Sequence, residues 1–243
     1  MMGGPILSLS NLHVSFPGGI RAVRGLDLQV DPGEIHAIVG ESGSGKSVTS
    51  KAIVQLLPRN ASLSWDLLEI DGHSFEARRP DDLRRLRGRR IAMVFQEPAK
   101  YLNPAMTIGR LIGEAVALHL GLDRRARRKR AAALMDLVDL DETSLDAYPH
   151  ELSGGMKQRA LIALAISCDP VLLLADEPTT ALDVTVQAQI LDLLDRLRRE
   201  LGMAIVLISH DLGLVQSTAD HVSVMYAGRV VNTASSDELF AWP

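Results

Sequence analysis

Residues 40–47 read Gly-Glu-Ser-Gly-Ser-Gly-Lys-Ser, between the apolar run Ile35–Val39 and a segment whose pattern turns helical near Gly45. The spacing is G-x-x-x-x-G-K-[ST], with a strand expected before it and a helix after it. No other stretch constrains the fold as strongly. Glycines let the backbone wrap so that its N–H groups point inward at phosphate oxygens. The helix that follows adds the positive end of its dipole. Gly40, Glu41, Ser42, Gly43, Ser44, Gly45, Lys46, Ser47 and Val48 are therefore the candidate nucleotide-binding residues. In such a loop the lysine reaches the β- and γ-phosphates and the Ser47 hydroxyl ligates Mg²⁺. The alternative is a chance Gly/Ser-rich turn, which does not account for both flanks.

A second stretch supplies the acidic half of such a site. Residues 171–175 form a continuous apolar run, as in a strand buried on both faces, and Asp176-Glu177 follows it. Doubly wound sheets place ligands at the C-terminal ends of their strands. Asp176 is accordingly the candidate metal ligand, and Glu177 is suited to polarise an attacking water as general base. The bland reading is a strand with an acidic cap before Pro178. Residues 204–208 make another buried strand, while Val186, Ile190, Leu193, Leu194, Leu197 and Leu201 fall on one helical face. Strands alternating with helices predict an α/β fold with a largely parallel sheet.

The rest of the chain divides by pattern. Residues 6–40 read as short strands with turns at Pro17-Gly18-Gly19 and Asp31-Pro32-Gly33. The helix from Gly45 is expected to run to Leu57, where Pro58 stops it, and 91–95 is a buried-strand candidate. Residues 97–165 lack strand patterns and read as a helical insertion, with amphipathic helices over 107–121 and 126–139. The division is one domain, with 6–96 and 166–243 forming a nucleotide-binding core with an antiparallel region and 97–165 a helical subdomain. No apolar run approaches the roughly 20 residues of a spanning helix. Residues 1–12 have neither the basic start nor the long apolar stretch of a signal peptide.

Within the helical region, Leu152-Ser153-Gly154-Gly155-Met156-Lys157-Gln158-Arg159 opens a helix with a hydroxyl and two bare glycines. That is a second phosphate cradle in a chain with one nucleotide loop. A capping role explains Ser153 but not the glycines, which weaken a helix start. With this set on the page, the chain resembles the ATP-binding subunit of an ABC transporter over nearly its whole length. The resemblance implies a P-loop ABC-type ATPase with a RecA-like parallel-sheet core, an N-terminal antiparallel β subdomain and a helical insertion. It also implies a sandwich dimer in which Ser153, Gly154 and Gly155 contact the nucleotide held by the opposing subunit.

Other positions take roles from the same resemblance. Gln96 looks like the Q-loop glutamine, a ligand for Mg²⁺ or for the attacking water. Asp183, in Ala181-Leu182-Asp183, looks like part of the D-loop, and could equally cap the helix that follows. His210 looks like the switch histidine at the γ-phosphate. Phe16 stands where the family places an aromatic on the adenine, although a Phe beside a Pro-Gly-Gly turn can simply pack against the strands. The implied cofactors are ATP and Mg²⁺.

Gln96-Glu97-Pro98, residues 102–109, Tyr148-Pro149-His150-Glu151 and residues 176–191 are similar to the oligopeptide/dipeptide/nickel importers. Met156-Lys157-Gln158-Arg159 with Pro178-Thr179-Thr180 resembles the first of the two ATPase types those importers use. The implied partners are a second ATP-binding subunit (a distinct paralogue, or a second copy), two transmembrane permease subunits and, indirectly, a substrate-binding protein. The implied place is the cytoplasmic face of the cell membrane, held peripherally. Lys100-Tyr101 departs from the small or polar residues usual there. The cysteine-bearing tail common in peptide-type subunits does not follow Trp242-Pro243.

Charge tests the rival readings. Lys+Arg number 26 and Asp+Glu 30, for a net charge of -4, so the molecule as a whole is not an electrostatic nucleic-acid binder. The cations are uneven: Arg84, Arg85, Arg87, Arg89 and Arg90 form one run, and Arg124, Arg125, Arg127, Arg128, Lys129 and Arg130 another. They read as a solvated helix face balanced by neighbours such as Asp81, Asp82 and Asp123, or as a surface drawn to anionic lipid or nucleic acid. The rival function is a soluble ABC ATPase acting on DNA or ribosomes. A P-loop small-molecule kinase does not explain residues 152–159 or His210. Cys168 stands alone, so neither an internal disulfide nor an iron–sulfur cluster can form within the chain.

Overall fold

A computed structural model describes residues 4–76 and 86–241. The chain opens with two long strands, β1 (Leu7–Phe16) and β2 (Ile20–Val30), paired antiparallel around the Pro17-Gly18-Gly19 turn. β4 (Ser62–Ser64) and β5 (Leu67–Ile70) pair with β1, and β6 (His73–Ser74) with β5, all antiparallel. The second sheet is built from β3 (Ile35–Val39), β7 (Ile91–Val94), β8 (Leu172–Asp176), β9 (Ala204–Ser209), β10 (His221–Tyr226) and β11 (Arg229–Ser235). Its order is β11-β10-β3-β9-β8-β7. Every pair is parallel except the β10–β11 hairpin.

The apolar runs explain this sheet, because alternate residues of each strand serve opposite faces. Ala37, Leu173, Ala175, Ile205 and Leu207 pack on one side, into a core shared with the helices. Ile38, Leu172, Leu174, Val206 and Ile208 pack on the other, against β1, β2 and helix α1 (Lys46–Ile53). The result is three layers with the parallel sheet in the middle, the RecA-like ABC ATPase fold expected from the sequence. Between β7 and β8 lie α2 (Pro98–Tyr101), α3 (Ile108–Leu120), α4 (Arg124–Leu137), two short 3-10 turns and α5 (Gly154–Ile166), with no strand among the described residues. After β8 come α6 (Val184–Leu201), α7 (Leu212–Gln216) and α8 (Ser236–Phe240). Among the described residues no helix is long and apolar enough to cross a membrane.

Two boundaries differ from the sequence reading. The first strand is longer than the short strands expected over 6–40: Asn11 takes φ 53°, the register shifts there, and the strand continues to Phe16. A bulge lets a strand survive a residue that breaks its alternation. Helix α1 ends at Ile53 rather than Leu57, because Gln55 turns to φ 51° before Pro58 is reached. In the first basic run, Arg84 and Arg85 lie outside the described residues, as do Asp81 and Asp82. Arg87 donates from Nε to the Val54 carbonyl at 2.8 Å, and Arg90 pairs with Asp71 at 3.3 Å. Cys168 is buried, and that burial pushes its thiol pKa up, which fits a packing residue.

One buried polar cluster ties β3 to β10. The Glu34 carboxylate accepts from the Asp31 backbone N–H at 2.6 Å, from His36 Nδ1 at 3.1 Å and from His221 Nδ1 at 2.9 Å. Burial alone raises the Glu34 pKa, but the hydrogen bonds from His36 and Asp31 and the charges of both histidines outweigh it and hold it below the ordinary value. A depressed carboxylate pKa contributes stability that is complete above about pH 5 and is lost as pH falls through the folded value. Glu34→Gln is expected to cost about 1–3 kcal/mol at neutral pH. Urea unfolding at pH 7 and again near pH 3 checks this: the penalty should shrink at the lower pH, and an equal penalty at both contradicts the assignment.

Candidate active site

The phosphate loop connects β3 to α1 and is clamped from two sides. At Gly40 (φ +148°) an added Cβ would lie 2.0 Å from the Met225 carbonyl oxygen, and at Gly45 (φ +109°) 2.3 Å from that of Ala22. Gly228 donates its N–H to the Ser44 carbonyl at 2.9 Å. The loop therefore rests between the β1–β2 hairpin and the β10–β11 turn, with Glu41, Ser42 and Gly43 facing solvent.

This geometry leaves donors without partners where a phosphate chain would lie. Gly45 has no side chain to cap α1, so the amides of Lys46, Ser47 and Val48 open the helix uncapped. The Ser44 hydroxyl is buried with no hydrogen-bond partner. Lys46 is 4% exposed and its ammonium donates to the carbonyls of Gly40 (2.7 Å) and Glu41 (2.9 Å). Burial lowers its pKa, against the opposing pull of Glu177 and Asp176. Those loop carbonyls hold the cation at the point where phosphate oxygens would compete for it. The Val48 side chain packs into the apolar cluster beneath the antiparallel sheet, so only its backbone amide is available to a ligand.

The acidic half lies at the end of β8. Ser47 donates its hydroxyl to Asp176 Oδ1 at 2.6 Å, joining two hard oxygen donors across the chain. Asp176 is 2% exposed; burial raises its pKa, and the Ser47 hydrogen bond together with Lys51 and Lys46 works against that rise. Among the described residues there is no cluster of three or more His, Cys, Asp or Glu side chains able to hold a metal. A hydroxyl, one carboxylate and substrate phosphates form a donor set that suits Mg²⁺, which keeps much of its coordination sphere for water and phosphate.

Glu177 sits one residue on, at φ 46°, with its N–H bonded to the Ile208 carbonyl at 3.0 Å. That turn takes the side chain off the strand direction and into a ring of donors. Glu177 Oε2 accepts from Gln96 Nε2 at 2.9 Å and from the Thr180 hydroxyl at 2.9 Å, and lies 3.4 Å from His210 Nδ1. Three segments distant in sequence, at Gln96, at Glu177–Thr180 and at His210, thus meet at one carboxylate. Thr180 was not anticipated from sequence; its signal is the tight turn, where its N–H also returns to the Glu177 carbonyl at 3.2 Å. Gln96 is engaged with Glu177 here rather than with the Ser47–Asp176 pair.

The remaining candidates lie apart from this ring. Ser153 caps α5, its Oγ accepting from the Met156 N–H at 3.3 Å, and Asp183 caps α6, accepting from Val186 N–H at 3.0 Å. The two starts pack together: a Cβ on Gly155 would lie 2.9 Å from Val186 Cγ1, and one on Gly154 3.4 Å from Leu182 Cδ2. Ser153, Gly154 and Asp183 are exposed. Among the described residues no side-chain hydrogen bond links them to the phosphate loop, Asp176 or Glu177. Phe16 closes the β1–β2 hairpin opposite Ile20 and is partly buried on the apolar cluster below it.

Comparison with known proteins gives the family. Residues 23–180 match the family model described as ABC transporter. A protein of Brucella abortus (strain 2308), described as a candidate peptide import ATP-binding protein, is 49% identical over 244 residues, covering 98% of this chain and 74% of the relative. The oligopeptide transport ATP-binding protein OppD of Bacillus subtilis (strain 168) is 44% identical over 98% of this chain and 68% of its own length. Among solved structures, a dimeric post-hydrolysis state of the ATP-binding cassette MJ0796 bound to ADP and Pi has a TM-score of 0.83 at 28% identity, covering 95% of this chain and 98% of that one.

The clamp on the loop separates two glycine substitutions. At Gly43 (φ +80°) an added Cβ meets nothing within 4 Å, whereas at Gly45 it collides with backbone. Gly43→Ala should cost only the backbone strain, about 1 kcal/mol. Gly45→Ala should cost several times as much and remove nucleotide binding. Thermal unfolding with a fluorescent-nucleotide titration checks both, and equal effects of the two substitutions contradict the clamp.

Proposed function

The chain belongs to the ABC transporter family and is its ATP-binding, ATP-hydrolysing subunit; from that premise we propose that it powers the import of peptides as one half of a nucleotide-sandwich dimer. The reading of peptides rather than nickel is supported by relatives that match nearly the whole chain and are named for peptide or oligopeptide transport. The single observation that carries the mechanism is the convergence of Gln96, Thr180 and His210 on Glu177, beside the Ser47–Asp176 pair.

In this reading the loop amides and Lys46 bind the phosphates of ATP, and Phe16 offers its ring to the adenine. Ser47 and Asp176 would hold Mg²⁺, with Gln96 as a further ligand once released from Glu177; the ion would supply charge neutralisation at the phosphate oxygens. Water attacks the γ-phosphorus, its proton passes to Glu177, and the bond to the β–γ bridging oxygen breaks. Gln96 and Thr180 hold the Glu177 carboxylate in place, and His210 provides positive or donor character at the phosphate. Ser153, Gly154 and Asp183, which are exposed, and the half-buried Gly155 face the nucleotide of a second ATP-binding subunit, either a paralogue or another copy. Residues near Gln96 and the 97–165 helical subdomain face two transmembrane permease subunits at the cytoplasmic side of the membrane. A substrate-binding protein delivers cargo to them, and nucleic acid has no part in the cycle.

Glu177→Gln should retain ATP binding and lose about 10²- to 10⁴-fold in turnover; near-normal turnover removes the general-base role. Lys46→Ala should weaken binding and abolish hydrolysis. Ser153→Arg should leave ATP binding to this chain intact and reduce hydrolysis by the assembled transporter. If single-chain binding falls and the assembled activity does not, the composite site is wrong.

A further inference from the structure

A groove of about 1250 Å³ runs between α3 and α4, on the helical subdomain. Six cations line it (Arg110, Arg124, Arg125, Arg127, Arg128 and Lys129), against two carboxylates, Glu114 and Glu142. Arg110 is paired with Glu114 at 3.3 Å, and Arg128 with Asp146 at 2.9 Å. Arg124, Arg125, Arg127 and Lys129 have no carboxylate within ion-pair distance among the described residues. Asp123 makes no ion pair with these cations; its carboxylate accepts from the Ala126 N–H at 2.8 Å as the cap of α4.

Local physics makes this arrangement costly without a ligand. One carboxylate, the cap Asp123, stands at the start of α4, while the first turn beyond it has no acidic residue and carries Arg124, Arg125 and Arg127, a placement the positive end of the helix dipole disfavours. Arg127 Nε is buried with no hydrogen-bond partner. The whole chain carries a net charge of -4, so this is a concentrated patch of opposite sign and not a general property of the surface. Beside it stands Leu118, 78% exposed. Arg110, Glu114 and Leu118 follow one another at intervals of four on α3 and share a stripe. A cationic groove flanked by an exposed aliphatic side chain is the combination that holds amphipathic surfaces at an anionic bilayer.

We propose that the α3–α4 groove docks directly on an anionic phospholipid bilayer, with lipid phosphates seated among Arg124, Arg125 and Lys129 and Leu118 reaching the acyl boundary. The contact goes beyond the function proposed above, because it needs neither a permease nor a particular transported substrate. It would add a membrane attachment of the subunit's own to the one its partners provide.

The test sediments the purified full chain with phosphatidylcholine vesicles, alone or with about one third phosphatidylglycerol, at low and high salt. The chain should bind only the vesicles containing phosphatidylglycerol and be released as salt shortens the screening length. Removing a surface cation costs about fivefold in membrane partition, so Arg124→Ala/Arg125→Ala/Lys129→Ala should lose about a hundredfold. Leu118→Ser should weaken binding and leave its salt dependence in place. Unchanged thermal unfolding and unchanged nucleotide binding show that both variants are folded. Wild-type chain that ignores the anionic vesicles overturns the proposal, whether or not it binds inorganic phosphate or RNA instead. Equal vesicle binding by the triple variant also overturns it.

Discussion

The close backbone approach at the phosphate loop is the constraint on which the rest depends. Gly40 and Gly45 lie against the carbonyls of Met225 and Ala22, so the loop is held by both sheets and has no room for a side chain at either point. The glycines fix where α1 begins, and α1 fixes Lys46 and Ser47. Ser47 then meets Asp176 at the end of β8, and Glu177, one residue on, is turned by its positive φ toward Gln96, Thr180 and His210. A single steric requirement thus propagates through three strand ends to the carboxylate proposed to activate water. The two apolar cores, one on each face of the parallel sheet, hold those strand ends in register.

Much of this was legible in the sequence because the relevant signals are local. The loop spacing, the continuous apolar strands at 171–175 and 204–208, and the absence of strand patterns in 97–165 each report on a few adjacent residues. What escaped were features set by distant partners or by unusual dihedrals. Asn11 at φ 53° carries β1 through a bulge, and Gln55 at φ 51° ends α1 ahead of Pro58. Neither position carries a composition signal strong enough to read in advance. Thr180 is a similar case: its hydroxyl matters only because Glu177 turns back toward it. The stacking of Phe95 on Tyr101, with centroids 3.7 Å apart, likewise joins β7 to α2 in a way no periodicity predicts.

Ser153 and Asp183 have a structural role that leaves room for the proposed functional one. Each caps its own helix through a backbone N–H, which accounts for a Ser and an Asp at those positions. Capping does not account for Gly154 and Gly155, whose bare backbone packs against Leu182 and Val186. The result is an exposed surface formed by two helix starts, remote in hydrogen bonding from the chain's own phosphate loop. A surface of that kind acquires a purpose when a second subunit presents its nucleotide to it.

The central claim is that ATP chemistry on this chain is completed by another ATPase subunit and coupled to membrane partners. The most direct measurement is an affinity purification of the tagged chain from gently solubilised native membranes, read by mass spectrometry. The account predicts near-equal amounts of a second ATP-binding subunit and two multi-span membrane proteins. Recovery only from the soluble fraction, with nucleic acid or ribosomal proteins, would contradict it.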